Sequence, residues 1–354
     1  MPKRPTAAVI LAAGLGTRMK SARPKVMHCV GGRPLVNHLL ATLSAVDVAR
    51  AVVVIGPEME SVAAAVAPHP TAVQADRLGT GHAVLQAKPA LADFSGDVLV
   101  AYGDTPFVTA ATFQKMLDQR AAPDAPAVIV LGFTPDDPGG YGRLVVGAKG
   151  LERIVEVKDA TAEEKRVTLC NSGIMLIDGA HAWALLDKVD CSNAKGEYYL
   201  TDIVKHARSA GLSCAVVDGD EDELLGINSR LELAAAEKLF QDRARRAAME
   251  NGATLTDPNT VFFSADTVIG KDVEIGPFTV FGAGVSVADN VVIKGFCHFE
   301  NAVIEPGAIV GPYARLRPGA RIGPDAHVGN FVEVKNSTLE SGAKVNHLTY
   351  IGDA

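Results

Sequence analysis

A chain of 354 residues, 48% hydrophobic and 21% charged, with 34 glycines and 19 prolines, is too long for one ordinary core and reads as two folded, turn-rich domains. Its net charge of −7 excludes an electrostatic nucleic-acid binder or a protein held to an anionic membrane, so its basic residues are expected to be local devices for holding phosphate. The cysteines (Cys29, Cys170, Cys191, Cys214, Cys297) are scattered and odd in number, and there is no signal peptide or membrane-length apolar run, which predicts free thiols and a cytoplasmic protein.

Short apolar runs alternate with helical patterns up to about residue 228. Ala8-Val9-Ile10-Leu11, Val52-Val53-Val54-Ile55, Val98-Leu99-Val100-Ala101 and Ala127-Val128-Ile129-Val130 read as strands buried on both faces, with amphipathic helices such as Val36 to Leu43 and Ala111 to Leu117 between them. That alternation predicts an α/β, Rossmann-like domain with a mostly parallel sheet covered on both sides.

The first strand runs into Leu11-Ala12-Ala13-Gly14-Leu15-Gly16-Thr17-Arg18-Met19, with Pro24-Lys25 shortly after. Glycines there let several backbone N–H groups converge on a phosphate, and the positive end of the next helix is expected to help. No Gly-Lys-Ser/Thr closes the loop, so it is not a Walker A motif, and Met19 stands where a dinucleotide fingerprint has its third glycine. Arg18 and Lys25 beside such a nest supply the cations a triphosphate requires. Further on, Asp104 in Tyr102-Gly103-Asp104 follows a buried strand, where open α/β sheets keep their ligands. A carboxylate there suits Mg²⁺ shared with substrate phosphates, although an N-cap for the helix after Pro106 fits the same residue.

Ser229-Arg230-Leu231-Glu232 is a capping box, and good helix formers run from it to Asn251-Gly252. About 22 residues at 1.5 Å each give a rod of roughly 33 Å, either a strut between domains or the last helix of the first. From Ile269 a large apolar residue recurs every six positions, through Ile275, Phe281, Val287, Ile293 and Phe299. The phase resumes one residue early at Ile304, runs to Val334, and slips again at Leu339. Four places after each large residue sits a small or β-branched one, such as Val273, Ala308 or Ala326. Period six matches neither helix nor simple strand. It predicts a triangular solenoid with large residues stacked inside and small ones at the corners. The last repeat is broken at Ala354, which suggests a shortened β-helix.

The loop Leu-Ala-Ala-Gly-x-Gly-Thr-Arg-Met followed by Pro-Lys resembles the signature of sugar nucleotidyltransferases. The resemblance implies that the Leu11, Ala12, Ala13 and Gly14 backbone binds nucleotide, that Arg18 stabilises the transition state and that Lys25 holds phosphate. It also implies base recognition by Gln74, Gly79 and Thr80, and nucleotide-sugar contacts at Tyr102 and Gly103. Gly142, Glu156 and Asn171 would contact the amino sugar, and Asn228 would join Asp104 as a metal ligand. Gly196 to Asp202 resembles the family's segment beside the sugar.

Taken over the whole chain, the order of domains is similar to that of the bacterial bifunctional N-acetylglucosamine-1-phosphate uridylyltransferase/glucosamine-1-phosphate acetyltransferase family, which makes peptidoglycan and lipopolysaccharide precursors. The domains implied are a uridylyltransferase over 1–228, a linker helix over 229–252 and an incomplete left-handed β-helix acetyltransferase over 253–354. The substrates implied are UTP and N-acetylglucosamine-1-phosphate, the product is UDP-N-acetylglucosamine, Mg²⁺ is the metal and acetyl-CoA serves the second activity. The assembly implied is a homotrimer through the β-helix. Arg317 and Lys335 would grip the acceptor's phosphate, Tyr350 would contact its sugar, and His347 would be the general base. With the later coils of the family missing here, uridylyl transfer without appreciable acetylation is expected.

Direct displacement by a phosphate oxygen needs no strong base, and no nucleophile–base pair is evident; His28 and His82 read as structural. Two rivals stand beside this reading. A thymidylyl- or adenylyltransferase would differ in the Gln74/Gly79-Thr80 segment, and a non-catalytic subunit would be expected to lose Arg18, Lys25, Asp104 or Asn228.

Overall fold

The computed structural model describes residues 4–123 and 125–353. The described residues fall into two compact units, one running to His28 and from Pro34 to Arg230, the other comprising Cys29–Arg33 and the chain from Leu231 onward.

In the first unit the apolar runs form strands β1 (Thr6–Leu11), β2 (Arg50–Ile55), β3 (Thr71–Val73), β4 (Asp97–Tyr102) and β5 (Val128–Phe133). They are followed by β6 (Arg143–Gly147), β7 (Gly150–Val155), β8 (Cys170–Ile177) and β9 (Cys214–Asp218). The sheet order is β9-β5-β8-β4-β1-β2-β3, with β6 and β7 as a hairpin off β8. Every pair along this order is parallel except those of β8, which runs antiparallel to both β4 and β5. Alternate residues of β1 enter two different cores. Ala8 and Ile10 share one core with α1 (Leu35–Ala45), α2 (Glu60–Val66) and α4 (Ala110–Arg120), while Ala7, Val9 and Leu11 share the other core with α3 (Thr80–Gln86), α5 (Gly179–Leu186) and α6 (Asp202–Ser209). Burial on both faces is the reason these strands read as continuous apolar runs rather than alternating ones.

The second unit is a parallel β-helix. Val268 pairs with Ser286 and Glu274 with Val292, an offset of eighteen, whereas Ser286 pairs with Val303 and Val292 with Ile309, an offset of seventeen. One coil is therefore three hexads, and the shorter offset falls where the phase slips by one residue. Ile275, Phe281, Val287, Ile293, Phe299 and their successors to Val334 are buried in the prism, as the period requires. The small residues Val273, Ala308 and Ala326 are buried too, and tucked beside the corners they let the chain turn.

The capping-box helix spans Arg230–Glu250. Its residues from Leu231 belong to the second unit, where Ala244 and Ala248 pack on the solenoid core. Gln241, buried, closes a reciprocal pair with Phe263: its amide donates to the Phe263 carbonyl and its oxygen accepts from the Phe263 N–H, both at 2.8 Å. The rod therefore caps the start of the solenoid. Among the described residues no cysteine pairs with another and no helix is long and apolar enough to cross a membrane.

Candidate active site

The site of the first unit is built at the carboxyl ends of β1 and β4. Ala12 N–H donates to Val54 O at 2.8 Å and Gly103 N–H to Leu11 O at 3.0 Å, so the loop leaves β1 held between its neighbours. Gly16 has φ +61°, and a β-carbon there would stand 2.7 Å from Lys25 Cβ; only glycine lets the loop fold back over Lys25. Contrary to the expected helix N-terminus, no α-helix starts at the loop. Thr17–Met19 is a single 3-10 turn, ended by Lys20 in the left-handed region, and the next α-helix begins at Leu35. The loop thus offers individual N–H groups and nearby cations rather than a helix dipole.

These elements surround a cavity of about 380 Å³ lined by the Leu11–Gly14 backbone together with Lys25, Gln74, Gly79, Thr80, Tyr102, Asp104 and Asn228. Lys25 Nζ donates to the Asp104 carboxylate and to Asn228 Oδ1, the latter at 3.0 Å. Two hard oxygen donors, one from the end of β4 and one from the segment after Gly226, thus converge on a single cation. That is the donor set a magnesium ion shares with phosphate oxygens. Asp104 caps no helix, because α4 is capped by Thr109, whose hydroxyl accepts from Thr112 N–H at 3.2 Å. Burial, and then the Asp104 carboxylate, push the Tyr102 phenol well up, so it stays protonated.

Gln74 is buried directly after β3, with its amide donating to Gly79 O at 3.0 Å and lying 3.1 Å from His82 Nδ1. Gly79 has φ +116°, and a β-carbon would press into the Tyr198 backbone at 2.6 Å. The Thr80 hydroxyl accepts from Leu200 N–H at 3.0 Å. His82 also lies 3.2 Å from the Gln86 amide, and His28 is buried with its Nδ1 3.3 Å from Arg230 Nη1. Burial foremost, and Arg230 next, hold the His28 pKa below its usual value, in keeping with a structural role.

Gly142, Glu156 and Asn171 gather a little apart. Asn171 N–H donates to Gly142 O at 2.8 Å, and a methyl on Gly142 would lie 3.5 Å from Glu156 Oε1. Glu156 lines a second cavity of about 300 Å³ with Asp159, Tyr199, Thr201 and Asp202. Its burial raises its pKa above the ordinary carboxyl value, opposed by Lys195 and by the Thr201 hydroxyl at 3.4 Å. Arg18 is exposed on the 3-10 turn and does not line the first cavity. Val26, Arg77, Ala83 and Glu197 do line it; Arg77 falls between Gln74 and Gly79 and Glu197 within Gly196 to Asp202, but none of the four is a candidate site residue by sequence.

On the β-helix, Arg317 Nη1 donates to Glu333 Oε1 at 2.9 Å, and Glu333 stands in register with Tyr350 on the next coil. Lys335 Nζ donates to Asp353 Oδ2 at 3.3 Å. With Leu316, Val334 and Ile351 directed into the prism, Arg317, Lys335 and Tyr350 share one outer face. His347, exposed, pairs with Asn330 further along the same strand as Tyr350.

The α/β sheet with its phosphate loop, joined to a hexad solenoid, defines a nucleotidyltransferase of the kind that carries a left-handed β-helix. The MobA-like NTP transferase domain family matches residues 8–168, and the bacterial transferase hexapeptide family matches 266–300 and 301–336. Over 348 residues the chain is 62% identical to the bifunctional protein GlmU of Paramagnetospirillum magneticum, covering 98% of this chain and 78% of that one. Over 349 residues it is 64% identical to the bifunctional protein GlmU of Rhodospirillum rubrum, covering 99% and 78%. The chain belongs to the bifunctional GlmU family. A putative glucose-1-phosphate thymidylyltransferase from Bacillus anthracis, 20% identical with a TM-score of 0.53 over 66% of this chain and 94% of that one, shares the fold.

Proposed function

We propose that the chain transfers the uridylyl group of UTP to N-acetylglucosamine-1-phosphate, giving UDP-N-acetylglucosamine and pyrophosphate, a precursor step of cell-wall synthesis in the cytoplasm. The proposal divides the chain into a uridylyltransferase domain over 1–228, a helix over 229–252 and a β-helical acetyltransferase domain from 253. The observation that carries it is the convergence of the Leu11–Gly14 loop, Lys25, Gln74, Gly79, Thr80, Asp104 and Asn228 on one cavity.

In this reading Gln74 and the main chain at Gly79 and Thr80 take the uracil, while the loop N–H groups and Lys25 take the phosphates. Tyr102 and Gly103 border the nucleotide sugar, and Gly142, Glu156 and Asn171 hold the amino sugar. A phosphate oxygen of the sugar attacks the α-phosphorus, and the bond to pyrophosphate breaks. That oxygen is already anionic, so positioning and charge neutralisation supply the rate and no general base is needed. Asp104 and Asn228 would hold Mg²⁺, which when bound neutralises charge on the triphosphate. Arg18, a long side chain on an exposed turn, would complete the neutralisation as charge passes to pyrophosphate.

On the solenoid, Arg317, Lys335 and Tyr350 would bind glucosamine-1-phosphate and His347 would take a proton from its amino group, with acetyl-CoA as donor. A homotrimer through the β-helix would complete that half. Its support is an exposed ladder of stacked rings, Phe278, Phe296, Tyr313 and Phe331, with centroids 4.9 to 5.0 Å apart.

The test is direct. UTP, Mg²⁺ and N-acetylglucosamine-1-phosphate should yield UDP-N-acetylglucosamine and pyrophosphate, with far less product from glucose-1-phosphate. Preference for another nucleoside triphosphate or for the glucose ester would overturn the reading.

A further inference from the structure

We infer that Arg77 is a positioning residue for the nucleotide: it sets the orientation of the Ala13–Gly14 peptide in the phosphate loop. The inference rests on the uridylyl-transfer reading and adds to it a residue outside the signature loop.

Arg77 lies in the segment between Gln74 and Gly79, and both Arg77 and Ala13 line the cavity. Its Nε donates to Ala13 O at 2.7 Å, a well-formed bond across 64 residues of sequence. A trans peptide is planar, with its C=O and N–H pointing in opposite directions. Fixing the Ala13 carbonyl toward Arg77 therefore also fixes the Gly14 N–H to point the other way.

The strand does not do this job. The last backbone bond that ties the loop to the sheet is Ala12 N–H to Val54 O, one residue earlier. Beyond it Gly14 is exposed, and a β-carbon built there would meet nothing within 4 Å. A glycine peptide in open space flips easily unless something holds its carbonyl. Arg77 is what holds it.

Two further observations bear on the same side chain. A β-carbon on Gly56 would stand 2.3 Å from Arg77 Nη2 and 3.3 Å from Ala13 O, so the glycine after β2 leaves room for the guanidinium to reach the loop. Arg77 also forms no ion pair among the described residues, whereas Lys25 is matched by Asp104. Its guanidinium, which is exposed, thus stands in the lining without a salt-bridge partner, where an anionic nucleotide would lie in the proposed reading. Position and charge make separable predictions, because glutamine can replace the donor but not the charge.

The experiment compares R77A and R77Q with the unaltered chain, using the Kd for Mg·UTP by titration calorimetry together with kcat and both KM values for uridylyl transfer. R77A should raise the Kd and KM for UTP about tenfold while kcat and the KM for N-acetylglucosamine-1-phosphate stay within about twofold, the pattern of a lost binding contribution. R77Q should recover most of the loss, and both variants should keep the parent's thermal midpoint. R77A binding UTP as tightly as the parent would overturn the inference, and so would R77Q binding as weakly as R77A, which would make charge the cause. An unaltered chain that fails to bind UTP would instead contradict the uridylyl-transfer reading itself.

Discussion

In the cavity beside the Leu11–Gly14 loop Lys25 engages the same two oxygen donors, on Asp104 and Asn228, that a divalent cation would claim in the proposed reading. In that reading Asp104 and Asn228 would hold Mg²⁺, leaving the Lys25 ammonium for phosphate. Replacing Lys25 with Ala should slow uridylyl transfer a hundredfold or more, the order expected for one charge-stabilising donor, as measured by pyrophosphate release. Chelating the metal should abolish transfer and restoring Mg²⁺ should recover it. Glu156 offers a test by pH. Burial raises its pKa, so as pH falls it loses its charge earlier than an ordinary carboxylate would. If, as proposed, an ionised Glu156 accepts hydrogen bonds from the sugar, the KM for the sugar phosphate should climb as pH falls through that raised value. E156Q should lack this rise; the sugar phosphate's own titration is common to both profiles and drops out of their difference. Residues of this kind are legible in the sequence where a motif fixes their spacing, as with Lys25, Gln74 and Asp104. Arg77 is not, since its partner is a backbone carbonyl 64 positions away and a contact at that range leaves no local trace.

Among the elements, the loop after β1 behaves differently from its sequence pattern. Glycines and a following Thr-Arg-Met suggest the start of a helix, yet Gly16 and Lys20 both adopt left-handed backbone and confine the chain to one 3-10 turn. The neighbouring base loop depends on Gly79 in the same way. Gly79→Ala combines a strained φ with a collision against the Tyr198 backbone and should cost about 1–3 kcal/mol in urea denaturation, with weakened uridine-nucleotide binding. The solenoid is the easiest element to read, because period six maps directly onto its coils. Its interior is correspondingly sensitive: Phe299→Ala opens a hole beside Phe281 and should destabilise the β-helix by about 3–5 kcal/mol in chemical denaturation. The direction of β8 is hidden, since an apolar strand buried on both faces reads the same whichever way it runs. The long helix is legible in extent but not in where it packs, because that is decided by Gln241 meeting Phe263.

For the molecule as a whole, two units with separate cores accord with a family whose relatives are named bifunctional. The ring ladder on the solenoid is made of bulky residues at positive φ, Phe278 at 54°, Phe296 at 62°, Tyr313 at 57° and Phe331 at 55°, with Leu348 at 51° after them, where other corners use Asp, Asn or Gly. Large apolar groups held in that conformation and exposed are expected to be covered in an assembly. Sedimentation should therefore give a trimer, and the pair F296S/F331S should shift it toward monomer at micromolar concentration; a monomeric parent chain would remove the ladder's proposed role. The most direct test of the central claim is a crystal structure with UDP-N-acetylglucosamine and Mg²⁺. Uracil is expected beside Gln74 and Gly79, the diphosphate along the Leu11–Gly14 loop near Lys25, the metal on Asp104 and Asn228, and the sugar against Glu156 and Asn171. A nucleotide sugar bound away from that loop would contradict it.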